Sequence, residues 1–279
     1  MFTNELATLI GSALDEDIGS GDITTACTVP QTAVGKGFIV AKEPLVLAGI
    51  AVAKRVFLTV NSDLELSLLL EDGSRAMIGE RLLEVTGNLA AILTAERTAL
   101  NFLQRLSGIA TLTRSFVDKV ANTSVRILDT RKTTPGWRFL EKAAVKAGGG
   151  YNHRFGLYDG ILIKDNHIVA AGGIRQAVMA VRACETSRLK VQVEVETLDQ
   201  LAEAISAGSD AVLLDNMDID TMAEAVQRAG GKILLEASGG ITLENVRQVA
   251  DTGVDLISAG ALTHSARAVD MSMEVEAVS

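Results

Sequence analysis

The sequence has few of the features that hold secreted or membrane-embedded proteins together. Among its 279 residues are 2 cysteines, Cys27 and Cys184, which lie far apart without a CxxC pair or a His/Cys cluster. This scarcity excludes a disulfide scaffold and a structural zinc site, and it fits a reducing compartment. No apolar run approaches the ~18 residues of a membrane span, and the N-terminus lacks the basic residues of a signal peptide. We therefore expect a soluble, cytoplasmic protein.

Basic residues are also fewer than acidic residues. The chain carries 26 Lys and Arg against 35 Asp and Glu, a formal net charge of −9. A chain this acidic is a poor general binder of nucleic acid or of anionic membranes, because both need a basic face. Its 48% apolar and 22% charged residues are typical of a globular protein large enough for one or two domains. Any anionic ligand therefore requires a local concentration of positive charge.

The hydrophobic pattern changes near residue 110. Before it, short apolar runs alternate with turn signals around a helix-like run at 48–60, which predicts an α+β module, and residues 94–106 return to helical spacing. Beyond it, β-branched or Leu-rich runs alternate with helical segments, which predicts a parallel sheet. The predicted strands of this second region are 125–129, 160–164, 191–196, 211–215, 232–238 and 255–260.

Polar residues at the ends of these strands favour one of two α/β architectures. Nearly every run ends in an ionisable side chain, such as Lys164, Glu194 or Asp215, and a strand buried on both faces does not carry charge without a reason. In a (β/α) barrel the carboxyl ends of the strands form the active-site mouth, and six strands rather than eight indicate an incomplete barrel. An open Rossmann sheet is the alternative, but no GxGxxG follows a strand.

Positive charge is concentrated between residues 131 and 154, where six basic residues accompany one acidic residue. Arg131 and Lys132 follow a predicted strand. His153 and Arg154 follow a run of three glycines, whose backbone N–H groups can approach an anion closely. Together with Lys164, these side chains predict a site for a polyanion, because Arg binds carboxylates and phosphates in a fork and Lys acts as a point charge.

Other charged residues of the region after residue 110 are explained by structural roles rather than by ligand binding. Arg138, Lys142 and Lys146 are spaced as on a helix, and we expect them to form a solvated basic face. His167 could equally serve the site or have only a structural role, capping a helix or packing in the core. Glu196 is expected in a salt bridge with a lysine or arginine at a strand end.

Carboxylates and glycines complete the candidate site. Glu194 alternates with valines, so it projects from one face of its strand, and Asp215 ends the next strand. Opposite a basic cluster, two such carboxylates suit a hydrated Mg²⁺ or support a cationic, oxocarbenium-like transition state. The segments 237–240 (ASGG) and 258–264 (SAGALTH) follow the last two strands, where barrels often hold a phosphate monoester. The candidates for that phosphate are Ser238, Gly239, Gly260 and His264.

Long segments of the chain resemble the quinolinate phosphoribosyltransferase family. They extend from the N-terminal third to the C-terminus and are jointly far more specific than a single glycine-rich pattern. The segments are EDIG (16–19), ERTALN (96–101), DTRKTTPG (129–136), GGGYNHRFGL (148–157), LIKDNH (162–167), LLDN (213–216) and GALTH (260–264).

The resemblance implies an N-terminal α/β sandwich domain at 1–110, rejoined by about 267–279, and an incomplete α/β barrel at 111–266, in a homodimer. It also implies the reaction: quinolinate and phosphoribosyl pyrophosphate (PRPP) give nicotinate mononucleotide, pyrophosphate and CO₂, with Mg²⁺, in NAD biosynthesis. The resemblance implies the following roles for the candidate residues. Arg131, Lys132, His153, Arg154 and Lys164 bind the substrate anions; Glu194 and Asp215 serve the ribose and the metal; Ser238, Gly239, Gly260 and His264 bind phosphate; and Arg97 enters the partner subunit's site.

Two other classes of function fit parts of the same pattern. A barrel lyase or aldolase could use Lys164 as a Schiff base, since the fold supports many reactions. A non-enzymatic metabolite-binding protein is the other alternative, but it leaves the paired strand-end acids unexplained. An NTPase is not supported, because GxxxxGK[ST] is absent.

Overall fold

A computed structural model describes residues 3–184 and 189–277. The chain divides into two compact units: the first takes residues up to 114, 134–149 and those from 266 onward, and the second takes 115–133 and 150–265. No helix within the described ranges is long and apolar enough to cross a membrane.

Helices and strands follow one another in two different orders in the two units. The helices are α1 (Thr3–Ile18), α2 (Ile23–Thr28), α3 (Ile50–Val60), α4 (Leu89–Lys119), α5 (Arg138–Ala147), α6 (Asp165–Ala171), α7 (Ile174–Ala183), α8 (Leu198–Ser206), α9 (Ile219–Ala229), α10 (Val246–Asp251) and α11 (Ala261–His264). The strands are β1 (Val34–Ala41), β2 (Leu45–Val46), β3 (Glu65–Leu68), β4 (Arg75–Ala76), β5 (Arg81–Asn88), β6 (Arg126–Leu128), β7 (Ile161–Ile163), β8 (Val191–Val195), β9 (Ala211–Asp215), β10 (Leu234–Ser238), β11 (Leu256–Ser258) and β12 (Met271–Ala277).

The first unit is built on an antiparallel sheet of order β12-β1-β5-β3, with β2 and β4 as a separate short pair. The chain ends in this unit, because β12 pairs with β1 from Met271 opposite Ala41 to Ala277 opposite Gly35. Its core includes the apolar side of α3, where Val56 and Phe57 are fully buried. Antiparallel strands and helices thus give the α/β layer structure predicted for the N-terminal region.

The second unit is a parallel six-stranded sheet of order β6-β11-β10-β9-β8-β7, with helices between most consecutive strands. The order confirms the predicted fold class, because β6 and β7 remain as edges of an incomplete barrel. The register of the sheet places the carboxyl ends of neighbouring strands side by side. Ser238 of β10 lies beside Asp215 of β9 and beside Ser258 of β11. Polar residues that follow different strands therefore meet at one edge of the sheet.

Residues 134–149 belong to the first unit, although the predicted boundaries put all of 111–266 into the second domain. Two contacts to α4 explain their place. The Trp137 ring stacks on Phe102 at a centroid distance of 4.8 Å, and the buried Glu141 carboxylate pairs with Arg105 at 3.2 Å. Sequence periodicity could not predict that residues 134–149 belong to the first unit, since neither contact is local in sequence. In α5, Lys142 is fully buried and so is not on the solvated face that we expected.

Candidate active site

A cavity of about 570 Å³ opens at the carboxyl ends of the parallel strands of the second unit. The loops after β6, β9, β10 and β11 supply much of its lining, together with the ends of β7 and β8. The predicted site residues that line it are Arg131, Lys132, His153, Arg154, Lys164, Glu194, Asp215, Ser238, Gly239, Gly260 and His264. Residues spread over more than 130 positions of sequence thus share one hollow, as a polyanion site requires.

Arg97 is the predicted site residue that does not line this cavity. It belongs to the first unit, on the exposed side of α4. Its role in the site of a partner subunit stays a prediction. Glu196 is also exposed and is not among the lining residues, and its backbone N–H donates to Gln200 at 2.7 Å.

Two arginines on neighbouring loops give the cavity its strongest positive charge. Arg154 is half-buried, and its Nη1 donates to the carbonyl of Gly160 at 3.0 Å. Burial lowers the pKa of Arg154 below its ordinary value, and the charge of nearby Arg131 lowers it further. Two guanidinium groups held close together are stabilised by an anion between them, so this pair is suited to a carboxylate or a phosphate.

Lys132 is fixed beside the last loop of the sheet. Thr263 Oγ1 donates to the Lys132 carbonyl at 2.7 Å, and the Lys132 N–H donates to Thr130 Oγ1 at 3.0 Å. A Cβ added to Gly260 would lie 3.0 Å from the Lys132 side chain and 3.0 Å from His264 Nε2. Glycine at this position therefore lets Lys132 and His264 approach the backbone closely.

Lys164 and Glu194 form an ion pair inside the cavity. Lys164 is the residue before α6, and its backbone N–H donates to His167 Nδ1 at 3.0 Å. His167 therefore caps the helix, which is one of the explanations that the sequence left open. The Lys164 side chain is 45% exposed, whereas that of Glu194 is 12% exposed, so the ammonium group reaches into the open part of the site.

Asn216 links the carboxylate of Asp215 to the glycine loop after β10, and the sequence analysis did not assign it a role. Its Nδ2 donates to Asp215 Oδ2 at 3.0 Å, and its backbone N–H donates to the Ser238 carbonyl at 2.9 Å. Asn216 has a positive φ of 53°, which is uncommon outside glycine. Asparagine tolerates this conformation better than most residues, which is the only signal that the sequence could have offered.

Glu236 is a second lining residue without a predicted role. It projects from β10, is 1% exposed, and has its Oε2 at 2.8 Å from Gln192 Nε2 and at 3.4 Å from His153 Nε2. Burial works to raise the pKa of this carboxyl, but the hydrogen bond and charge of His153, together with the side chains of Ser258 and Gln192, outweigh it and hold the pKa below the usual value. A carboxylate is thus kept charged beneath the cavity. The signal was present in the sequence as a lone acid within a buried strand.

Comparisons with known proteins agree with this geometry. The family model described as "Quinolinate phosphoribosyl transferase, C-terminal domain" matches residues 109–274. The model of the N-terminal domain of the same family matches residues 22–107. The chain belongs to the quinolinate phosphoribosyltransferase family. This membership confirms the resemblance seen in the sequence motifs.

Individual relatives match over nearly the whole chain. A probable nicotinate-nucleotide pyrophosphorylase [carboxylating] from Bacillus subtilis is 46% identical, over 97% of this chain and 93% of its own length. A mitochondrial quinolinate phosphoribosyltransferase [decarboxylating] from Nicotiana tabacum is 41% identical, over 98% and 83%. The crystal structure of NadC from Streptococcus pyogenes has a TM-score of 0.96 and 38% identity, covering 100% of this chain and 99% of that one.

Proposed function

We propose that the cavity of the second unit performs the reaction for which the relatives are named. The chain is a phosphoribosyltransferase: it transfers phosphoribosyl from PRPP to quinolinate with decarboxylation and yields nicotinate mononucleotide, pyrophosphate and CO₂. This is a step of NAD biosynthesis. The observation that carries the proposal is the convergence of arginines and lysines from separate loops on one cavity in a chain of net charge −9.

Mutual repulsion of the substrates is the first obstacle to this reaction. Quinolinate is a dianion and PRPP carries several negative charges, so the reacting atoms approach only where positive groups offset both. A cavity with Arg131, Lys132, Arg154 and Lys164 in its lining supplies that charge in a place where water is restricted. It also orients the pyridine nitrogen toward the ribose C1′, which removes much of the entropic barrier.

The two ends of the site suit different anions. Arg131 and Arg154 are close neighbours, and we assign the carboxylates of quinolinate to their forked donors. The loop at Ser238 and Gly239 and the start of α11 at Gly260 present backbone N–H groups beside His264. We assign the 5′-phosphate of PRPP to that end, where parallel α/β folds commonly bind phosphate.

Charge separation at the ribose is the central chemical event. As the bond to pyrophosphate breaks, positive charge develops on the ribose and negative charge on the leaving group. Glu194 and Asp215 stabilise the ribose side, and Lys132, which has no carboxylate partner among residues 3–184 and 189–277, stabilises the leaving pyrophosphate. The pyridinium formed by the transfer then stabilises the electron pair that stays on the ring carbon when the adjacent carboxylate leaves as CO₂, and a proton from water replaces the carboxylate on that carbon. No covalent nucleophile is needed.

Mg²⁺ fits this site as an ion that the substrate brings with it. Within the described residues, no group of three or more His, Cys, Asp or Glu side chains could hold a metal. Glu194 and Asp215 therefore provide two carboxylates at most, which suits Mg²⁺ bound chiefly by phosphate oxygens and water. When bound, the ion neutralises charge on the pyrophosphate group. The protein residues that would hold it are Glu194 and Asp215.

The assembly and the compartment are further parts of the proposal. We infer a homodimer in which Arg97 reaches the partner's cavity, because this arginine belongs to the family motif ERTALN, is exposed, and is not among the residues that line the cavity of its own chain. A cytoplasmic location fits two exposed free cysteines, which a reducing compartment preserves.

Release of labelled CO₂ from quinolinate, measured with and without PRPP, tests the proposed reaction. Release that requires PRPP and is matched by nicotinate mononucleotide supports it, whereas release without PRPP contradicts it. A Schiff base at Lys164 is the competing chemistry, and borohydride trapping of the enzyme with a carbonyl substrate would reveal it. The ion pair with Glu194 argues against that role, because it engages the terminal nitrogen of Lys164 that would have to attack the carbonyl carbon.

A further inference from the structure

The buried carboxylate of Glu236 has no part in the chemistry assigned above, although it borders the cavity. A charged group this deep is costly unless the surrounding structure uses it. Its Oε2 receives Gln192 Nε2 at 2.8 Å and lies 3.4 Å from His153 Nε2. Its Oε1 is buried and has no hydrogen-bond partner within the described residues. Most of its interactions therefore converge on the one oxygen that faces His153.

The other side of the His153 ring is directed at the backbone of Arg154. His153 Nδ1 accepts the backbone N–H of Arg154 at 2.8 Å, and the His153 backbone N–H donates to Asp129 Oδ1 at 2.9 Å. A nitrogen that accepts an N–H cannot carry a proton itself, so the proton of the neutral ring belongs on Nε2. Nε2 is the atom that faces Glu236.

We propose that Glu236 is a positioning residue, which holds His153 as the Nε2–H tautomer and thereby fixes the backbone and side chain of Arg154 in the cavity. The carboxylate accepts from Nε2–H, the ring turns its unprotonated Nδ1 to the Arg154 N–H, and the Arg154 guanidinium is directed past Gly160 to the substrate end of the site. A histidine that binds a ligand or a neighbouring group through one nitrogen is commonly oriented by an acceptor at the other.

This role explains why a charged residue is retained inside the sheet. Gln192 of β8 donates to the same oxygen, so the carboxylate is held by two groups from two different parts of the unit. The arrangement is rigid because β8 and β10 are both internal strands of the sheet. A substrate-binding arginine on a loop gains precision when such a fixed element orients it.

Nitrogen NMR of the imidazole rings tests the tautomer directly on the full chain. The chain has 3 histidines, so the variants His167→Gln and His264→Gln identify the His153 signals by elimination. We expect wild-type His153 to show a protonated Nε2 and an unprotonated Nδ1. A protonated Nδ1 in the folded wild-type enzyme overturns the proposal, and this measurement needs neither activity nor a variant at Glu236.

Two substitutions at Glu236 separate positioning from mere packing. Glu236→Leu removes the acceptor, and we expect loss of the single tautomer and a KM for quinolinate raised about tenfold, with a smaller change in kcat, since one buried hydrogen-bond acceptor is lost. Glu236→Gln can keep an oxygen toward Nε2 and should restore both the tautomer and most of the affinity. Glu141→Gln, which alters a buried carboxylate of the first unit, should leave the His153 spectrum unchanged.

The outcomes distinguish this inference from the proposed function on which its kinetic part rests. A Leu variant with the wild-type tautomer and KM overturns the role of Glu236 while leaving the reaction intact. A wild-type enzyme without PRPP-dependent CO₂ release instead contradicts the proposed function, and the NMR result would still stand. Equal losses in the Gln and Leu variants, with the His153 tautomer preserved in both, would also overturn positioning through His153.

Discussion

Gly239 lies directly against the side chain of Asn216 at the phosphate end of the cavity. A Cβ on Gly239 would be 2.2 Å from Asn216 Oδ1 and 3.0 Å from the Asn216 backbone nitrogen, so no side chain fits there without movement. Gly239 also has a φ of +89°, in the left-handed region that favours glycine. The loop that we assign to the 5′-phosphate is therefore held in place by the residue that also holds Asp215.

Gly239→Ala should weaken PRPP binding more than it weakens the fold. We expect the KM for PRPP to rise by about tenfold or more, because the loop must shift away from Asn216 and a displaced group costs catalysis steeply. Steady-state kinetics with each substrate varied in turn measures the change, and thermal unfolding checks the fold.

Gly172→Ala is the matched control for this change. Gly172 has a nearly equal φ of +85°, but nothing lies within 4 Å of its added Cβ, and it ends α6 away from the cavity lining. It should therefore lose about 1 kcal/mol of stability from backbone strain without a rise in the KM for PRPP. Equal KM values for the two variants would contradict the role of the Asn216 contact.

Sequence reasoning located the cavity because the relevant signal is local. In a parallel sheet, residues that follow strands meet at the carboxyl edge, so Lys164, Glu194 and Asp215 could be placed together from strand predictions alone. Glu236 also ends a predicted strand, but neither it nor Asn216 could be given a role, because their roles depend on which strands are neighbours and on a left-handed backbone. The place of 134–149 depends on long-range contacts such as the stacking of Trp137 on Phe102, which no periodicity encodes.

Lys132→Ala should remove charge stabilisation of the leaving pyrophosphate. We expect kcat/KM to fall by about 10²–10³-fold with little change in stability, because the side chain is exposed and loss of one transition-state donor typically costs this much. Lys146→Ala is the control, since that lysine is exposed and outside the cavity lining. A folded Lys132→Ala enzyme with near wild-type kcat/KM would refute the assigned role.

Glu43 predicts a pH-dependent contribution to stability within the first unit. Hydrogen bonds from Arg267, together with the N–H of Asp270 at 2.7 Å, lower the pKa of Glu43 from 4.5 to about 2. A pKa depressed by folding stabilises the native state above the unfolded pKa, and the contribution is lost as the pH falls from about 4.5 toward 2. Glu43 thereby tethers the residues that lead into β12.

Glu43→Gln should lower the free energy of unfolding by about 1 kcal/mol at neutral pH, since the exposed guanidinium of Arg267 is partly screened by water. Urea unfolding of both proteins over a range of pH measures the effect. The difference between them should shrink as the pH falls through the window set by the pKa of Glu43, because the wild-type carboxylate then becomes protonated. A difference that stays constant down to the lower limit would mean that the ion pair is not its source.

Mixing of two inactive variants tests the proposed exchange of Arg97 between subunits. If each cavity uses Arg97 of the partner chain, a heterodimer of Arg97→Ala and Lys132→Ala chains contains one cavity with both lesions and one intact cavity. Equal mixing makes about half of the dimers mixed, each with one working site, so about a quarter of the wild-type activity should return. A mixture of Lys132→Ala with Asp215→Ala is the control, because both residues line the same chain's cavity and every site then keeps one lesion. Recovery in the first mixture and not in the second supports a shared site, whereas equal activity in the two mixtures would leave Arg97 without a role across the dimer.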